Sequence, residues 1–238
     1  MPPSSLETLC PPTDTVIDSP APAKAHFWDN VARRYAAAAI SDMAGYDRSI
    51  ERTQHWLRPE HRVLEIGCGT GTTALRLAPG VASYVATDVS GHMIAIALQK
   101  QAQQPCHQLR FETIDADVGT HERRTYDAVI AFNVLHLVTD LDGTIAACAA
   151  ALQPGGLLIS KTPCLSEMNP LIAWVALPVM RWIGKAPPVH CLNENDLTLA
   201  MKRRGLELVT VERHASRGRD ARPYIVARKP NALATPTS

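Results

Sequence analysis

The stretch Val63-Leu64-Glu65-Ile66-Gly67-Cys68-Gly69-Thr70-Gly71 decides how this chain folds. A short apolar run leads into three glycines at alternate positions, where an extended strand has to turn into a helix. Glycines allow a tight turn there and let the backbone approach a ligand closely. Open parallel sheets bind ligands at the carboxyl ends of their strands, where the strand order reverses. This turn is therefore the first candidate binding site. A dinucleotide site favours GxGxxG, whose third glycine would fall at position 72. Position 72 is threonine, so the spacing is GxGxG.

Downstream of the turn, strands and helices alternate. Residues 62–66 read as a strand and 70–77 as a helix closed by Pro79 and Gly80. A strand at 83–87 follows, then a helix to about residue 103 that Ser90 can cap. Residues 108–114 and 126–131 read as strands, 141–152 as a helix ended by Pro154 and Gly155, and 156–161 as a strand. Such alternation implies a parallel sheet covered on both faces by helices. The pattern then changes. An apolar helix is expected at 169–183 and a second helix at 194–204, with Asn193 as its cap. Strands at 206–213 and 223–228 are joined by a short polar connector, so they are expected to pair antiparallel. Upstream, residues 25–39 and 47–57 have helical composition. Residues 1–24, rich in proline, serine and threonine, read as a disordered arm, and 231–238 as a disordered tail. The expected organisation is one domain over 25–230, with an N-terminal helical cap at 25–57 and a capping insertion at 165–190.

The chain has 238 residues, 46% hydrophobic and 20% charged, an ordinary balance for one large domain with a sizeable core. Its formal net charge of +1 provides no broad electrostatic footprint for nucleic acid or an anionic membrane. The six cysteines form no CxxC pair, and no His, Cys and carboxylate cluster has metal-ligand spacing, so no metal is expected. The start lacks a secretory pattern, and the most apolar stretch, near 171–183, is too short to span a bilayer. A cytoplasmic protein with free thiols, monomeric or homodimeric, is the expectation.

Four further signals follow the glycines in order. Asp88 ends the next strand and can accept hydrogen bonds from both hydroxyls of a ribose. Thr87-Asp88-Val89-Ser90-Gly91-His92-Met93 surrounds it, and Ile114-Asp115-Ala116 ends the third strand, with Asp117 as an alternative register. Tyr126-Asp127-Ala128-Val129-Ile130-Ala131-Phe132-Asn133-Val134-Leu135-His136 covers the fourth strand and its exit, and Leu152-Gln153-Pro154-Gly155-Gly156 precedes the fifth. Together, over about Val63–Lys161, these resemble the motifs of the class I S-adenosylmethionine (SAM)-dependent methyltransferases. Phe27-Trp28-Asp29 with Tyr35 resembles the small-molecule branch of that family, and Gly205-Leu206-Glu207 its closing hairpin.

The resemblance implies a Rossmann-like α/β fold, with a seven-stranded, mostly parallel sheet in the order 3-2-1-4-5-7-6 and strand seven antiparallel. It implies SAM as cofactor, contacted by Glu65, Gly67, Gly69, Gly71, Asp88, Val89, Met93, Asp115, Ala116 and Asn133. Asp115 would accept from the adenine amino group, and Met93 would pack near the adenine.

Methyl transfer from a sulfonium is an in-line displacement whose leaving group departs neutral. The protein has to align the acceptor, exclude water and, where needed, remove a proton. His136, at the rim after strand four, is the candidate base, because histidine titrates near neutrality. Tyr35 is a second catalytic candidate and, with Trp28, could close over the cofactor. Lys161, ending strand five, could steer an acidic acceptor, and His190 is a weaker candidate. A nucleophilic Cys164 is disfavoured, because the flanking motifs of cytosine-C5 enzymes are missing. The expected activity is methylation of oxygen or nitrogen on a small, apolar or aromatic metabolite. The rivals are an RNA or protein methyltransferase, a SAM-binding regulator without catalysis, and an NAD-dependent enzyme.

Overall fold

The computed structural model describes residues 21–117, 125–167, 189–218 and 220–231. Helices α1 (Ala21–Ala37) and α2 (Met43–Trp56) precede the first strand. Then come β1 (Arg62–Ile66), α3 (Thr72–Leu77), β2 (Ser83–Asp88), α4 (Gly91–Gln103), β3 (Leu109–Thr113), β4 (Tyr126–Phe132), α5 (Leu141–Ala151) and β5 (Leu152–Lys161). Helix α6 (Glu194–Arg203) leads into β6 (Glu207–Glu212) and β7 (Tyr224–Arg228). The seven strands form one sheet in the order β3-β2-β1-β4-β5-β7-β6. Neighbours from β3 to β5 are parallel, and β7 runs antiparallel to both β5 and β6.

Alternation along the strands assigns side chains to two faces. On one, Leu64, Ile66, Val129 and Leu158 pack with Ile145 and Cys148 of α5 and Leu197 and Met201 of α6. On the other, Val63, Ala128, Ile130 and Ile159 pack with Ile50 of α2, Leu77 of α3 and Ile94 of α4. Burial on both faces is why the parallel strands read as near-continuous apolar runs. Strand order reverses between β1 and β4, which opens a crevice at their carboxyl ends.

The caps lie where local chemistry puts them. Ser90 accepts from Met93 N at the start of α4, and Asn193 with Asp196 forms a reciprocal capping box on α6. Two boundaries differ from the sequence expectation. Helix α1 begins at Ala21, so residues 21–24, expected in the arm, extend the helix by a turn. Strand β5 begins at Leu152, where a helix end was expected, so Pro154-Gly155-Gly156 lies inside a strand. The ladder shifts register there: Tyr126 pairs with Leu152 and Ala128 with Leu157. Gly155, at φ 81°, provides the irregular turn, and proline is tolerated because the bulge requires no N–H from it. The expected helix at 169–183, most of the expected insertion at 165–190, the arm over residues 1–20 and the tail over 232–238 lie outside the described residues. Among the described residues, no helix is long and apolar enough to cross a membrane.

Candidate active site

A cavity of about 770 Å³ lies over the carboxyl ends of β1 to β5, within the usual range for ligand pockets. It brings together almost every residue singled out in the sequence. Glu65, Gly67, Gly69, Asp88, Val89, Met93, Asp115, Ala116, Asn133, His136, Tyr35, Trp28 and Lys161 all line it. Gly71 does not line it. It makes the turn at φ 75°, and an added Cβ would meet Phe111 at 2.6 Å and Ala97 at 2.8 Å. That glycine is required by packing of the turn against α4 and β3.

The end of the cavity at β1 to β3 carries three carboxylates. Glu65 is 2% exposed and accepts from Tyr84 Oη at 2.8 Å. Burial pushes its carboxyl up to about 8, and the Asp88 charge adds to this against the opposing Tyr84 hydrogen bond. Asp88 accepts from Gly69 N at 2.8 Å through Oδ2 and from Ser90 N at 2.9 Å through Oδ1. Each oxygen retains a second lone pair, so two hydroxyls can still be accommodated. Burial raises its pKa, against the two amide hydrogen bonds.

Asp115 and Asp117 separate in role. Asp117 accepts from Thr139 N and Thr144 Oγ1 as well as from Lys24, and ties β3 to the start of α5. Asp115 lines the cavity and pairs with Lys24 Nζ at 2.5 Å. Lys24 also lines the cavity, although composition assigns it to the disordered arm. Only its position one turn into α1 could have drawn attention to it. The same helix is tied down by Asp29, which accepts from Ser90 Oγ at 2.6 Å and His92 N at 3.0 Å. Helix α1 thus lies across the carboxylate-bearing end, with Trp28 and Tyr35 packed edge to face at 6.4 Å. Tyr35 is half-exposed, and its ring stands 3.7 Å from where a Cβ on Gly69 would lie.

Asn133 is the single non-glycine residue at positive φ among the described residues, at 54°. Asparagine tolerates this region better than most side chains, and such outliers cluster at functional sites. Its N–H donates to Lys161 O at 2.8 Å, which joins the exits of β4 and β5.

At the other end, His136 has a buried Nδ1 without a hydrogen-bond partner among the described residues. Burial, helped by the Arg222 and His190 charges, lowers its pKa to about 4, so the ring is neutral at pH 7. His190 does not line the cavity. Its N–H donates to His136 O at 2.8 Å and its Nε2 lies 2.7 Å from Val138 O, so it positions the loop carrying His136. Cys164 is fully buried in the core and its thiol is pushed up to about 12, which leaves no nucleophilic thiolate. Among the described residues, no group of three or more His, Cys, Asp or Glu side chains could hold a metal ion.

The residues present fit SAM. A cationic sulfonium and ammonium, a ribose diol and an adenine amino group are all matched by carboxylates beside a glycine cradle.

Residues 64–158 match the family described as "Methyltransferase domain". The chain is 31% identical over 192 residues to the highly reducing polyketide synthase ACRTS2 of Alternaria alternata, which covers 73% of this chain and 8% of that protein. The chain spans only 3% to 8% of the length of the curated relatives it matches. Among solved structures, the [4+2]-cyclase SpnF superposes with a TM-score of 0.66 at 20% identity, covering 78% of this chain and 81% of that one. The CurJ carbon methyltransferase superposes with a TM-score of 0.59 at 23% identity, covering 76% and 52%. Motif order, sheet order and the family match over residues 64–158 converge, and together they support a class I SAM-dependent methyltransferase.

Proposed function

We propose that this protein methylates a small, largely apolar or aromatic metabolite at oxygen or nitrogen. The single observation that carries the reading is one continuous cavity with a carboxylate-rich cofactor end and a separate acceptor end at β4 and β5. When bound, SAM supplies the methyl group for an in-line displacement. Asp88 and Asp115 would hold the ribose and adenine, Glu65 would face the cationic part, and Val89, Met93, Ala116 and Asn133 would complete the wall. Gly69 leaves room for the ligand against the backbone, whereas a Cβ on Gly67 would meet Val134 at 2.4 Å, so that glycine is needed for packing of the turn.

The remaining residues act on the acceptor. His136 is neutral and lines the cavity, so the ring can take a proton from an acceptor O–H or N–H. Tyr35 and Trp28, on a helix tied at Lys24 and Asp29, exclude water above the reacting atoms. The near-neutral formal charge supports a small molecule rather than RNA, and a cytoplasmic, monomeric or homodimeric enzyme goes with that reading. A second reading, a carbon acceptor, is favoured by the polyketide synthase relatives and by the carbon methyltransferase among the structural neighbours. His136 would serve it equally, since a carbon nucleophile also has to lose a proton.

The test has two parts. Calorimetry should show S-adenosylhomocysteine binding near the micromolar range, about −8 kcal/mol, with no comparable signal from NAD. A metabolite panel with labelled SAM, read by mass spectrometry, should then identify the acceptor and the atom methylated. Binding without turnover on any acceptor would favour the regulator, and methylation of RNA alone would replace the small-molecule reading.

A further inference from the structure

Carboxylates gather at one end of the cavity, where Lys24 pairs with Asp115, and two further cations stand at the other, where Asp42 and Asp220 also line the wall. Glu65, Asp88 and Asp115 surround the cofactor end, whereas Lys161 and Arg222 line the acceptor end. Lys161 is held in place. Its Nζ donates to Ser49 Oγ at 2.7 Å, Ser49 Oγ shares a hydrogen bond of 3.0 Å with His214 Nδ1, and Glu212 Oε2 accepts from His214 Nε2 at 3.1 Å. Arg52 closes this chain with a two-pronged grip on Glu212. The relay joins α2, the end of β6 and β5, so the ammonium is aimed by three elements. Its other contact, to Gly45 O, is long at 3.5 Å, which leaves donor capacity for a ligand.

Arg222 stands on the connector between β6 and β7, and its guanidinium has no carboxylate partner among the described residues. Its charge nevertheless acts on Tyr35, His136 and Lys161. The acids that face Lys161 are already engaged. Asp220 accepts from the backbone N–H groups of His214, Ala215 and Arg222. Asp42 accepts from Gly45 N and from Ser216 N and Oγ. Arg48, which donates to His214 O, adds a further cation behind Lys161.

We propose that Lys161 and Arg222 form an anion-recognition subsite, and that the methyl acceptor is a small acid whose carboxylate docks between them. This rests on the methyltransferase reading of the cavity and deepens it by naming the substrate class. An apolar or aromatic body suits the rest of the wall, and the carboxylate fixes which end points away from the cofactor. Burial lowers the Lys161 pKa, mainly by desolvation and against the Asp220 and Asp42 charges, so an entering anion adds to the compensation those carboxylates give. A carboxylate at Arg222 also offsets one of the charges that depress His136, so acceptor binding raises the basicity of the ring beside it.

Calorimetry on the full chain saturated with S-adenosylhomocysteine tests this, with 4-hydroxybenzoate and heptanoate as probes against 4-hydroxybenzamide and heptanamide. At least one carboxylate should bind ten times or more tighter than its amide. Lys161→Met and, at an exposed position where folding is not at risk, Arg222→Gln should each erase most of that preference and leave the amide unchanged. Both variants should bind S-adenosylhomocysteine within twofold of the parent. Equal binding of acids and amides, or no heat from any of the four probes, overturns the proposal. A drop in S-adenosylhomocysteine affinity in the variants also overturns it, because the two cations would then hold the cofactor's own carboxylate. Failure of S-adenosylhomocysteine to bind the parent chain would instead remove the methyltransferase reading itself.

Discussion

Glu65 should release a proton when the cofactor enters. Burial disfavours the charge and pushes its carboxyl up to about 8. At pH 7 it is therefore about nine-tenths protonated. SAM brings an ammonium and a sulfonium, both of which favour the ionised form. If the bound pKa falls to about 5, binding at pH 7 should release about 0.9 proton. The sign follows: cofactor affinity rises with pH by up to about tenfold per unit until about 8, then levels off.

The assay is calorimetry at pH 7 in phosphate and in Tris, whose ionisation enthalpies differ. Glu65→Gln retains an acceptor for the Tyr84 hydroxyl and should abolish the buffer-dependent heat. The same group has a stability signature. A carboxyl raised from 4.5 in the unfolded chain to about 8 in the fold contributes stability that is fully present below pH 4.5 and lost as pH rises to 8. The Gln variant should therefore be more stable than the parent at pH 8, by up to ~5 kcal/mol as an upper bound. Identical heats in the two buffers, with unchanged thermal stability of the variant at pH 8, would refute the reasoning.

Other outcomes follow from the same geometry. Asp88→Ala should weaken SAM binding at least tenfold, since each charge-assisted hydrogen bond is worth about 1.5–3 kcal/mol; titration would show it, and unchanged affinity would remove the ribose role. Lys24→Met should leave the sheet intact but free α1 from Asp115 and Asp117, so amide exchange over residues 25–37 should speed up relative to the core. The His136 pKa is lowered to about 4, so its contribution to stability is fully present above pH 6.5 and is lost as pH falls through 4. His136→Gln should remove up to about 3 kcal/mol of the acid-induced loss, read as Tm against pH; an identical pH profile would show that the ring is not buried as described.

Much of this protein follows from local sequence. The apolar run at Val63–Ile66 and the glycines after it fix where a parallel strand turns, because chain stiffness and side-chain size act over a few residues. Ser90 and Asn193 cap helices through bonds to amides three positions away, so they too were legible. The Pro154-Gly155-Gly156 segment was read as a break and proved to be a bulge inside β5. Whether a proline interrupts a strand or bulges it depends on the partner strand, and local sequence does not carry that information.

The chemistry of the cavity is decided at longer range. Lys24 meets Asp115 across 91 positions, and Lys161 meets Ser49 across 112. The unusual states of Glu65 and His136 come from desolvation, which is a property of the closed cavity and of no residue in isolation. Sequence placed the cofactor motifs because each sits at a strand end next to its own turn. Only the tertiary fold, by inserting β7 between β5 and β6, carries the connector with Arg222 back to the mouth of the site and gives the acceptor end its charge.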